Sequence, residues 1–295
     1  MSGEFEKEFE KEFAEYTEKV ESCIKTLPWQ DNVLDESMAY SLMGGGKRIR
    51  PVLMLAAAEA VGGRAEDILP AAVALEMIHT YSLIHDDLPA MDDDDYRRGR
   101  LSNHKVFGEG MAILAGDALL TYAFEILARP LPVEPMRQLL VIREIAEAAG
   151  RSGMVLGQVL DLQGEGKSLE LKAVEEIHRH KTGALLRVAV RAGGILGGGS
   201  DDEIAALDRY AAALGLAFQI KDDILDLEAD SETLGKPAGS DLKLEKATYP
   251  SLLGLAGAKR ELALRTQEAK DALASFEIRG VFLRSLADYM QERSH

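Results

Sequence analysis

The sequence of 295 residues predicts an all-α protein with about ten helices or more. Apolar residues recur at three- and four-residue spacing through most of the chain, and the apolar segments are rich in Ala, Leu and Met rather than in β-branched residues. Short clusters of Gly or Pro separate these segments, as they do at helix boundaries. No stretch combines strict apolar–polar alternation with a hairpin signal, so no β-sheet is expected.

The N-terminal segment shows the helical pattern most clearly. Phe5, Phe9 and Phe13 recur every four residues, and Tyr16 and Val20 continue the same apolar stripe. Further helices are expected over residues 52–61, 67–87, 105–128, 136–149, 170–192, 202–228 and 250–274. Breaks are expected at residues 44–46, 62–63, 130–135, 164–166, 197–199 and 234–239. The glycine clusters do not form a G-x-G-x-x-G or P-loop motif, so a nucleotide-binding fold has no support.

Composition narrows the class of protein. With 46% hydrophobic residues and no Pro/Ser-rich linker, a single domain spanning residues 1–295 is expected. Acidic residues outnumber basic ones 50 to 34, and the net charge of −16 disfavours nucleic acid and anionic lipid as partners. The lone cysteine, Cys23, excludes an internal disulfide. No signal peptide is recognisable and no apolar run approaches the roughly 20 residues of a membrane span, so a cytoplasmic protein without stable membrane association is expected.

Two clusters of aspartates indicate the chemistry. The first comprises Asp86, Asp87 and residues 92–95, and the second is Asp222-Asp223-Ile224-Leu225-Asp226. Carboxylates this dense repel one another unless a cation lies between them. Mg²⁺ takes carboxylate oxygens as ligands and usually shares them with substrate phosphates. Because basic residues follow each cluster, the pattern predicts a metal-bridged diphosphate site; for residues 93–95 an ordinary solvated acidic loop is an equally good interpretation.

The spacing within each cluster constrains its geometry. Asp86 and Asp92 are six residues apart, which on an unbroken helix would rotate them by about 240° relative to each other. Pro89 cannot continue a regular helix, so the helix is expected to end or bend near Leu88 and Asp92 to fold back beside Asp86. In the second cluster Asp226 lies one helical turn beyond Asp222, on the same face.

These motifs resemble those of the trans-isoprenyl diphosphate synthases, and more closely the bacterial farnesyl diphosphate branch of that family. The likeness covers nearly the whole chain. Its motifs, in order, are Gly-Gly-Gly-Lys-Arg-Ile-Arg-Pro at 44–51, His-Thr-Tyr-Ser-Leu-Ile-His at 79–85, the first aspartate cluster with Arg-Arg-Gly at 97–99, His-Arg-His-Lys-Thr-Gly at 178–183, Gln-Ile-Lys-Asp-Asp-Ile-Leu-Asp at 219–226 with Gly-Lys at 235–236, and Lys-Ala-Thr-Tyr-Pro at 246–250. The resemblance implies a single large helical bundle of the isoprenoid synthase type, a central active-site cavity and a homodimer.

The resemblance also implies roles for individual residues. Mg²⁺ would be held by Asp86, Asp87, Asp92, Asp222, Asp223 and Asp226. Isopentenyl diphosphate would be bound by Lys47, Arg50, His79 and Arg98. The allylic diphosphate and its carbocation would be contacted by Arg97, Lys181, Thr182, Gln219, Lys236 and Lys246. The residues given a catalytic role are Asp86, Asp92, Asp222, Lys181, Thr182 and Gln219.

Spacing along the chain supports part of this grouping. His79 is seven residues before Asp86 and shares its helix face, although a core histidine is the alternative. If Arg97 and Arg98 lie on a helix they point about 100° apart, which would let them serve different substrates. Gly183 is expected to distort the helix around residues 181–182. Arg48 and Arg100 are expected to be ordinary surface cations.

The implied activity is a prenyltransferase reaction that condenses isopentenyl diphosphate with dimethylallyl and then geranyl diphosphate to give (2E,6E)-farnesyl diphosphate, that of a geranyltranstransferase. Tyr81 and Ser82, just before the first cluster, are the candidate chain-length residues, and the bulk of Tyr81 favours the C15 product. Closure of the 234–246 loop would exclude water from the carbocation. Three alternatives remain: a geranylgeranyl diphosphate synthase; a class I terpene cyclase, against which the isopentenyl site argues; and an acidic helical metal-binding or scaffolding protein, for which no EF-hand loop is present.

Overall fold

A computed structural model describes residues 3–228 and 247–293, with side chains from residue 6 onward, and over these residues the all-α prediction is confirmed. The α-helices are α1 (Gly3–Lys25), α2 (Val33–Leu42), α3 (Ile49–Ala60), α4 (Ala65–Asp86), α5 (Asn103–Phe107), α6 (Glu109–Leu127), α7 (Pro135–Ala149), α8 (Met154–Gly164), α9 (Leu171–His178), α10 (Ala184–Leu196), α11 (Asp201–Glu228), α12 (Tyr249–Ala272) and α13 (Val281–Glu292). A π-helical turn, Arg179–Gly183, joins α9 to α10, and a 3₁₀ segment, Ala274–Gly280, precedes α13.

Side chains at the helix ends explain several boundaries. Asn32 precedes α2 and its side-chain oxygen accepts hydrogen bonds from the backbone N–H groups of Leu34 and Asp35, at 2.9 and 3.0 Å. Thr248 and Ser251 form a reciprocal capping box at the start of α12. Such caps satisfy backbone donors that the first helical turn leaves unpaired. The helices therefore begin where local chemistry favours them.

The core surrounds α4, which packs against α1, α3, α6 and α10. Helix α4 is buried on most of its circumference, as expected of a helix that is apolar all round. The predicted stripe of α1 contributes Phe9, Tyr16 and Val20 to this core, each 5% exposed or less. At the other side of the bundle α11 packs along α12. Helices α4 and α11 carry the two aspartate clusters at their C-terminal ends, so the fold fixes each cluster at the end of a buried helix.

Two helices require a correction to the expectation that no segment is long and apolar enough to span a membrane. By length and composition alone, α4 and α6 both qualify. The most apolar window of α4 is 67% buried inside the protein, as befits a core helix, whereas that of α6 is 39% buried. Helix α6 exposes Ile113 and Leu114.

The expectation that no strands form is wrong at one place. Strands β1 (Tyr96–Arg97) and β2 (Arg100–Leu101) pair antiparallel across a two-residue turn. Arg98 and Gly99 form this turn with φ of 53° and 73°, the left-handed backbone that such tight hairpins require. Arg97 and Arg98 therefore do not lie on a helix; their directions differ because one is in a strand and the other in the turn.

Arg48 also differs from the expectation that it is a surface cation. Its side chain is 0% exposed and forms ion pairs with Glu21 at 2.7 Å and with Glu76 at 2.8 Å. It also donates a hydrogen bond to the carbonyl of Leu42 at 2.6 Å. Removal of one partner of such a buried pair leaves an uncompensated charge, so Arg48 is a structural residue of the core. Arg100, by contrast, is exposed, as expected, and stacks over the ring of Tyr40.

Candidate active site

The first aspartate cluster folds back on itself as predicted. Helix α4 ends at Asp86, and the backbone N–H of Asp92 donates a hydrogen bond to the carbonyl of Asp86 at 2.8 Å. The side chain of Asp87 is 3% exposed and accepts a hydrogen bond from Nε of Arg97 at 2.9 Å and another from Nη2 of the same residue. Asp87 therefore holds Arg97 in place, while Asp86 and Asp92 are brought together across the turn.

The electrostatics of Asp86 indicate a position suited to a cation. Burial raises the pKa of Asp86 to about 6, and the nearby charge of Asp92 adds to this shift while Lys181 opposes it. Two neighbouring carboxylates in a partly desolvated place are costly when both are ionised. A hard divalent cation with oxygen ligands relieves this cost, so the residues present fit a Mg²⁺ site.

This pKa predicts the pH dependence of metal binding. A cation binds the ionised carboxylate, so protonation of Asp86 competes with it as the pH falls through about 6. We expect the apparent Mg²⁺ affinity to be constant above neutrality and to fall by about tenfold for each pH unit below a pH of about 6. Calorimetric titration of Mg²⁺ across this range measures the effect, and Asp86→Asn is the control that should lack it. An affinity independent of pH in the wild type would contradict the assignment.

One aspartate of the second cluster is more exposed to solvent than the other two. Asp223 and Asp226 are each 7% exposed, whereas the side chain of Asp222 is 40% exposed. Asp223 accepts a hydrogen bond from the backbone N–H of Tyr249 at 2.8 Å, which fastens α11 to the start of α12. Asp222 is thus the acid of this cluster that is most accessible to a ligand.

A residue from the end of the chain completes this cluster. Arg293 forms an ion pair with Asp222, and its guanidinium lies 4.3 Å from the centroid of the Phe218 ring. It also donates a hydrogen bond to the carbonyl of Phe218 at 3.3 Å. Its charge also lowers the pKa of Lys47, so Arg293 lies within electrostatic reach of the residues just before α3.

The distortion expected around Gly183 is present as the π-helical turn that contains Lys181 and Thr182. Helix α8 packs directly on this turn at Gly157, where a Cβ atom would lie 2.0 Å from the backbone nitrogen of Lys181. The ammonium group of Lys181 forms an ion pair with Asp161 of α8 at 2.6 Å. The close approach at Gly157 and the ion pair together fix the position of Lys181.

Four basic residues form a separate group beside the clusters, which we call the basic group: Lys47, Arg50, His79 and Arg98. Burial lowers the pKa of Arg50 to about 10, and the charge of Arg98 contributes to the shift. Burial and the surrounding arginines hold the pKa of His79 well below its ordinary value, so its imidazole is neutral at pH 7. The pKa values of Lys47 and Arg98 are also lowered, chiefly by burial. The charge of Arg98 acts on Arg50 and both charges act on His79, so these three residues lie close enough together to favour an anion among them.

The position of Arg98 depends on the glycine-rich turn before α3. Its guanidinium donates a hydrogen bond to the carbonyl of Gly45 and lies across Gly46. A Cβ atom on Gly46 would lie 2.5 Å from the guanidinium carbon, and its φ of 123° also disfavours other residues. The glycine cluster at residues 44–46 therefore does more than end a helix: it leaves room for the Arg98 side chain and holds it in position.

The basic group and the aspartates lie within electrostatic reach of each other. The charge of Asp222 acts on both Lys47 and Arg50, and the charge of Arg97 acts on both His79 and Asp86. Thr182 and Gln219 are partly exposed. Lys236, Lys246 and the loop expected to close over the site lie outside the described residues.

The two candidate chain-length residues occupy the last turns of α4. Tyr81 is 7% exposed, and its ring meets that of His85 edge-to-face with centroids 5.7 Å apart. Burial and the charge of Asp86 raise the pKa of the Tyr81 hydroxyl to about 12. Ser82 donates a hydrogen bond to the carbonyl of His79 at 2.8 Å.

Sequence reasoning missed three residues of this site. Asp161 pairs with Lys181, His178 stacks on the ring of Tyr249 near Asp223, and Arg293 pairs with Asp222. A signal for Asp161 existed, since polar residues at 158 and 161 are one turn apart in an otherwise apolar segment. No local signal identifies Arg293, because its partner is distant in the chain.

Comparison with known proteins agrees with the geometry. The profile of the family described as "Polyprenyl synthetase" matches residues 31–276. The chain is 53% identical over 264 residues to a farnesyl diphosphate synthase of Geobacillus stearothermophilus, covering 89% of each protein. It is 51% identical over 269 residues to a chloroplastic geranylgeranyl pyrophosphate synthase of Capsicum annuum, covering 90% of this chain and 73% of that one. The solved structure of an FPP/GFPP synthase from Zymomonas mobilis is 36% identical and superimposes with a TM-score of 0.87, covering 96% of this chain and 99% of that one. On its sequence, its fold and the arrangement of its two aspartate clusters, this chain belongs to the polyprenyl synthetase family.

Proposed function

We propose that the protein is a prenyltransferase of the farnesyl diphosphate synthase type, which joins isopentenyl diphosphate head-to-tail to dimethylallyl and then geranyl diphosphate. The observation that best supports this function is that the basic group lies beside two aspartate clusters. This arrangement can bind two diphosphates in different ways. One diphosphate is suited to the metal-binding carboxylates, and the other to cations alone. A terpene cyclase acts on a single allylic diphosphate and therefore does not need the second site, which consists of cations alone.

Asp86, Asp92 and Asp222 would hold Mg²⁺, and Asp223 and Asp226 would support it from their buried positions on α11. Bound there, the metal supplies positive charge against the negative charge that develops on the departing diphosphate. Asp87 contributes through Arg97, which it holds by a hydrogen bond and whose charge acts on Asp86.

The protein's own groups perform the remaining work on the allylic substrate. Arg97 and Lys181 bind the departing diphosphate and stabilise its developing charge. Thr182 and Gln219 present oxygen atoms that stabilise the allylic carbocation, as does the carbonyl of Lys181 within its distorted turn. By family resemblance, Lys236 and Lys246 bind the same diphosphate.

The basic group positions the second substrate. Lys47, Arg50 and Arg98 bind the diphosphate of isopentenyl diphosphate, and neutral His79 donates one hydrogen bond to it. So fixed, the double bond of this substrate attacks the carbocation, and the released diphosphate takes the proton that is lost. Water has to be excluded throughout, because it would quench the carbocation.

Substitution in the basic group tests this division of the site. Lys47→Ala or Arg50→Ala should raise the KM for isopentenyl diphosphate by about tenfold or more, since a hydrogen bond to a charged group contributes about 1.5–3 kcal/mol. The KM for the allylic substrate should change much less. Steady-state kinetics with each substrate varied in turn measures both values, and Lys172→Ala, which removes an exposed lysine of α9, is the matched control. Equal increases in both KM values would show that the two diphosphate sites are wrongly divided.

A geranylgeranyl diphosphate synthase is the second candidate, favoured by the similarity to the Capsicum enzyme, which is nearly as high as that to the Geobacillus one. Chromatography and mass spectrometry of the products from isopentenyl and dimethylallyl diphosphate distinguish the two. We expect C15 as the main product. A main product of C20 would favour the second candidate, and no condensation at all would overturn the proposed reaction class.

We also propose that the protein is a cytoplasmic homodimer. Helices α6 and α8 expose apolar side chains, among them Leu114 at 55% and Val155 at 45%, and apolar patches of this kind are suited to association with a second copy. Light scattering at micromolar concentration should give twice the mass of 32.1 kDa calculated for one chain. A mass equal to one chain would refute the dimer.

A further inference from the structure

We propose that Asp93 and Asp95, at the end of the first cluster, form a third metal site together with His104, distinct from the Mg²⁺ positions proposed at Asp86, Asp92 and Asp222, and that it takes a borderline divalent cation such as Zn²⁺. These residues flank the hairpin that carries Arg97 and Arg98. A carboxylate oxygen of each aspartate and a ring nitrogen of His104 all lie within 4.8 Å of one another. Bonds of Zn²⁺ to oxygen and nitrogen are about 2.0–2.2 Å long, so ligand atoms around one zinc ion lie within about 4.4 Å of one another. Small movements of these three side chains would therefore suffice to bind it. The inference does not depend on the proposed reaction.

The state of His104 distinguishes this group from an ordinary acidic loop. The residue is 6% exposed, and its Nε2 atom is buried without a hydrogen-bond partner. A buried polar atom left in this way is costly and calls for a ligand or an ordered water. The two exposed carboxylates beside the ring provide the remaining ligand atoms.

The other nitrogen of the same ring has a partner. Nδ1 of His104 lies 3.1 Å from the hydroxyl oxygen of Ser102, which is itself buried. Metal-binding histidines are generally oriented by a hydrogen bond at the nitrogen that does not bind the metal. Here that bond fixes the ring and leaves Nε2 as the nitrogen available to a cation.

The chemistry of the three ligands selects the class of metal. Imidazole nitrogen suits Zn²⁺ and its transition-metal neighbours, whereas Mg²⁺ prefers oxygen ligands alone. Histidine nitrogen and carboxylate oxygen are both ligands of Zn²⁺ in proteins, and three protein ligands are the number found in zinc sites that keep one position open. The third site therefore differs in metal preference from the all-carboxylate clusters.

A nearby lysine competes for one of the ligands. Lys105 forms an ion pair with Asp95 at 2.6 Å, and both side chains are exposed. A cation bound to Asp95 would have to compete with this ammonium group. When bound, it would join Asp93 and Asp95, before β1, to His104, after β2, and so would close the hairpin at its open end.

Calorimetric titration of Zn²⁺ into the full-length protein, with millimolar Mg²⁺ present to occupy the carboxylate clusters, tests the site. We expect one Zn²⁺ site whose affinity falls on the order of 100-fold in Asp93→Asn and in Asp95→Asn, since even the loss of a supporting contact costs 10–100-fold. Both residues are exposed, and Asn tolerates the φ of 51° at position 93, so both variants should fold. Asp31→Asn, an exposed acid between α1 and α2, is the matched control and should leave the affinity unchanged.

Two further measurements test the roles of His104 and Lys105. Zn²⁺ should shift the ring resonances of His104 in the NMR spectrum of the wild type, which requires no substitution of a buried residue. Lys105→Ala should tighten Zn²⁺ binding several-fold relative to Lys172→Ala. The proposal is overturned if Zn²⁺ binds equally well to the wild type, Asp93→Asn and Asp95→Asn, if it does not bind, or if the His104 resonances do not respond. An affinity unchanged by Lys105→Ala would remove Asp95 from the ligand set.

Discussion

Asp86→Ala should lower kcat by about a thousandfold or more while leaving the fold intact. Asp86 begins the first cluster at the end of a buried helix, and the turn through Pro89 brings the backbone of Asp92 into hydrogen-bond contact with that of Asp86. Loss of a metal ligand removes several kcal/mol of stabilisation of the leaving group, and about 4 kcal/mol corresponds to a thousandfold in rate. Turnover at saturating Mg²⁺ and both substrates measures the effect, with circular dichroism to verify folding.

Asp31→Ala is the matched control for this change, because it removes an equally charged but remote and exposed carboxylate. The net charge changes by the same amount in both variants, so a general electrostatic effect would appear in both. A kcat near that of the wild type in Asp86→Ala would show that the first cluster does not bind the catalytic metal.

Tyr81→Ala should lengthen the product from C15 toward C20 and beyond. Tyr81 lies five residues before Asp86 on α4, which places it about 7.5 Å along the helix axis from the carboxylate. The residue is 7% exposed, and its ring packs edge-to-face against His85. If this ring forms the floor under the growing chain, its removal opens space for another isoprene unit.

The same substitution has a different outcome if Tyr81 is only a core residue. Truncation of a large buried aromatic ring then costs about 3–5 kcal/mol of stability and leaves chain length unchanged. Product length and melting temperature measured on the same preparation separate the two cases. Unchanged C15 product from a folded variant would refute the role of Tyr81 as a floor. Tyr40→Ala is a useful control, since that tyrosine lies on α2 and contacts Phe107 and Arg100.

Local features of the fold were predictable from the sequence. Helix positions follow from periodicity that extends over only a few residues, as in the stripe of α1. The fold-back of Asp92 toward Asp86 follows from the stereochemistry of Pro89, and the structure confirms it. Helix boundaries were less well predicted: the segment expected at 105–128 is divided by Gly108 into α5 and α6.

Features that depend on residues distant in the chain were not predictable. Arg48 is a core residue only because Glu21 and Glu76 approach it from two other helices. Arg293 pairs with Asp222, which lies 71 residues earlier in the chain. The hairpin at Arg98 is two residues per strand, too short for any alternation of apolar and polar residues to reveal it.

The division of the site into a metal-dependent and a metal-independent diphosphate position is the central claim, and binding measurements with and without metal test it most directly. Isopentenyl diphosphate alone cannot react, so its binding can be titrated by calorimetry in the presence of EDTA and again with Mg²⁺. A non-reactive allylic diphosphate analogue is titrated in the same two conditions. We predict that isopentenyl diphosphate binds with similar affinity in both, through Lys47, Arg50 and Arg98, whereas the allylic analogue binds tightly only with Mg²⁺. An absolute requirement of isopentenyl diphosphate for Mg²⁺, or equal binding of the allylic analogue in EDTA, would contradict the account.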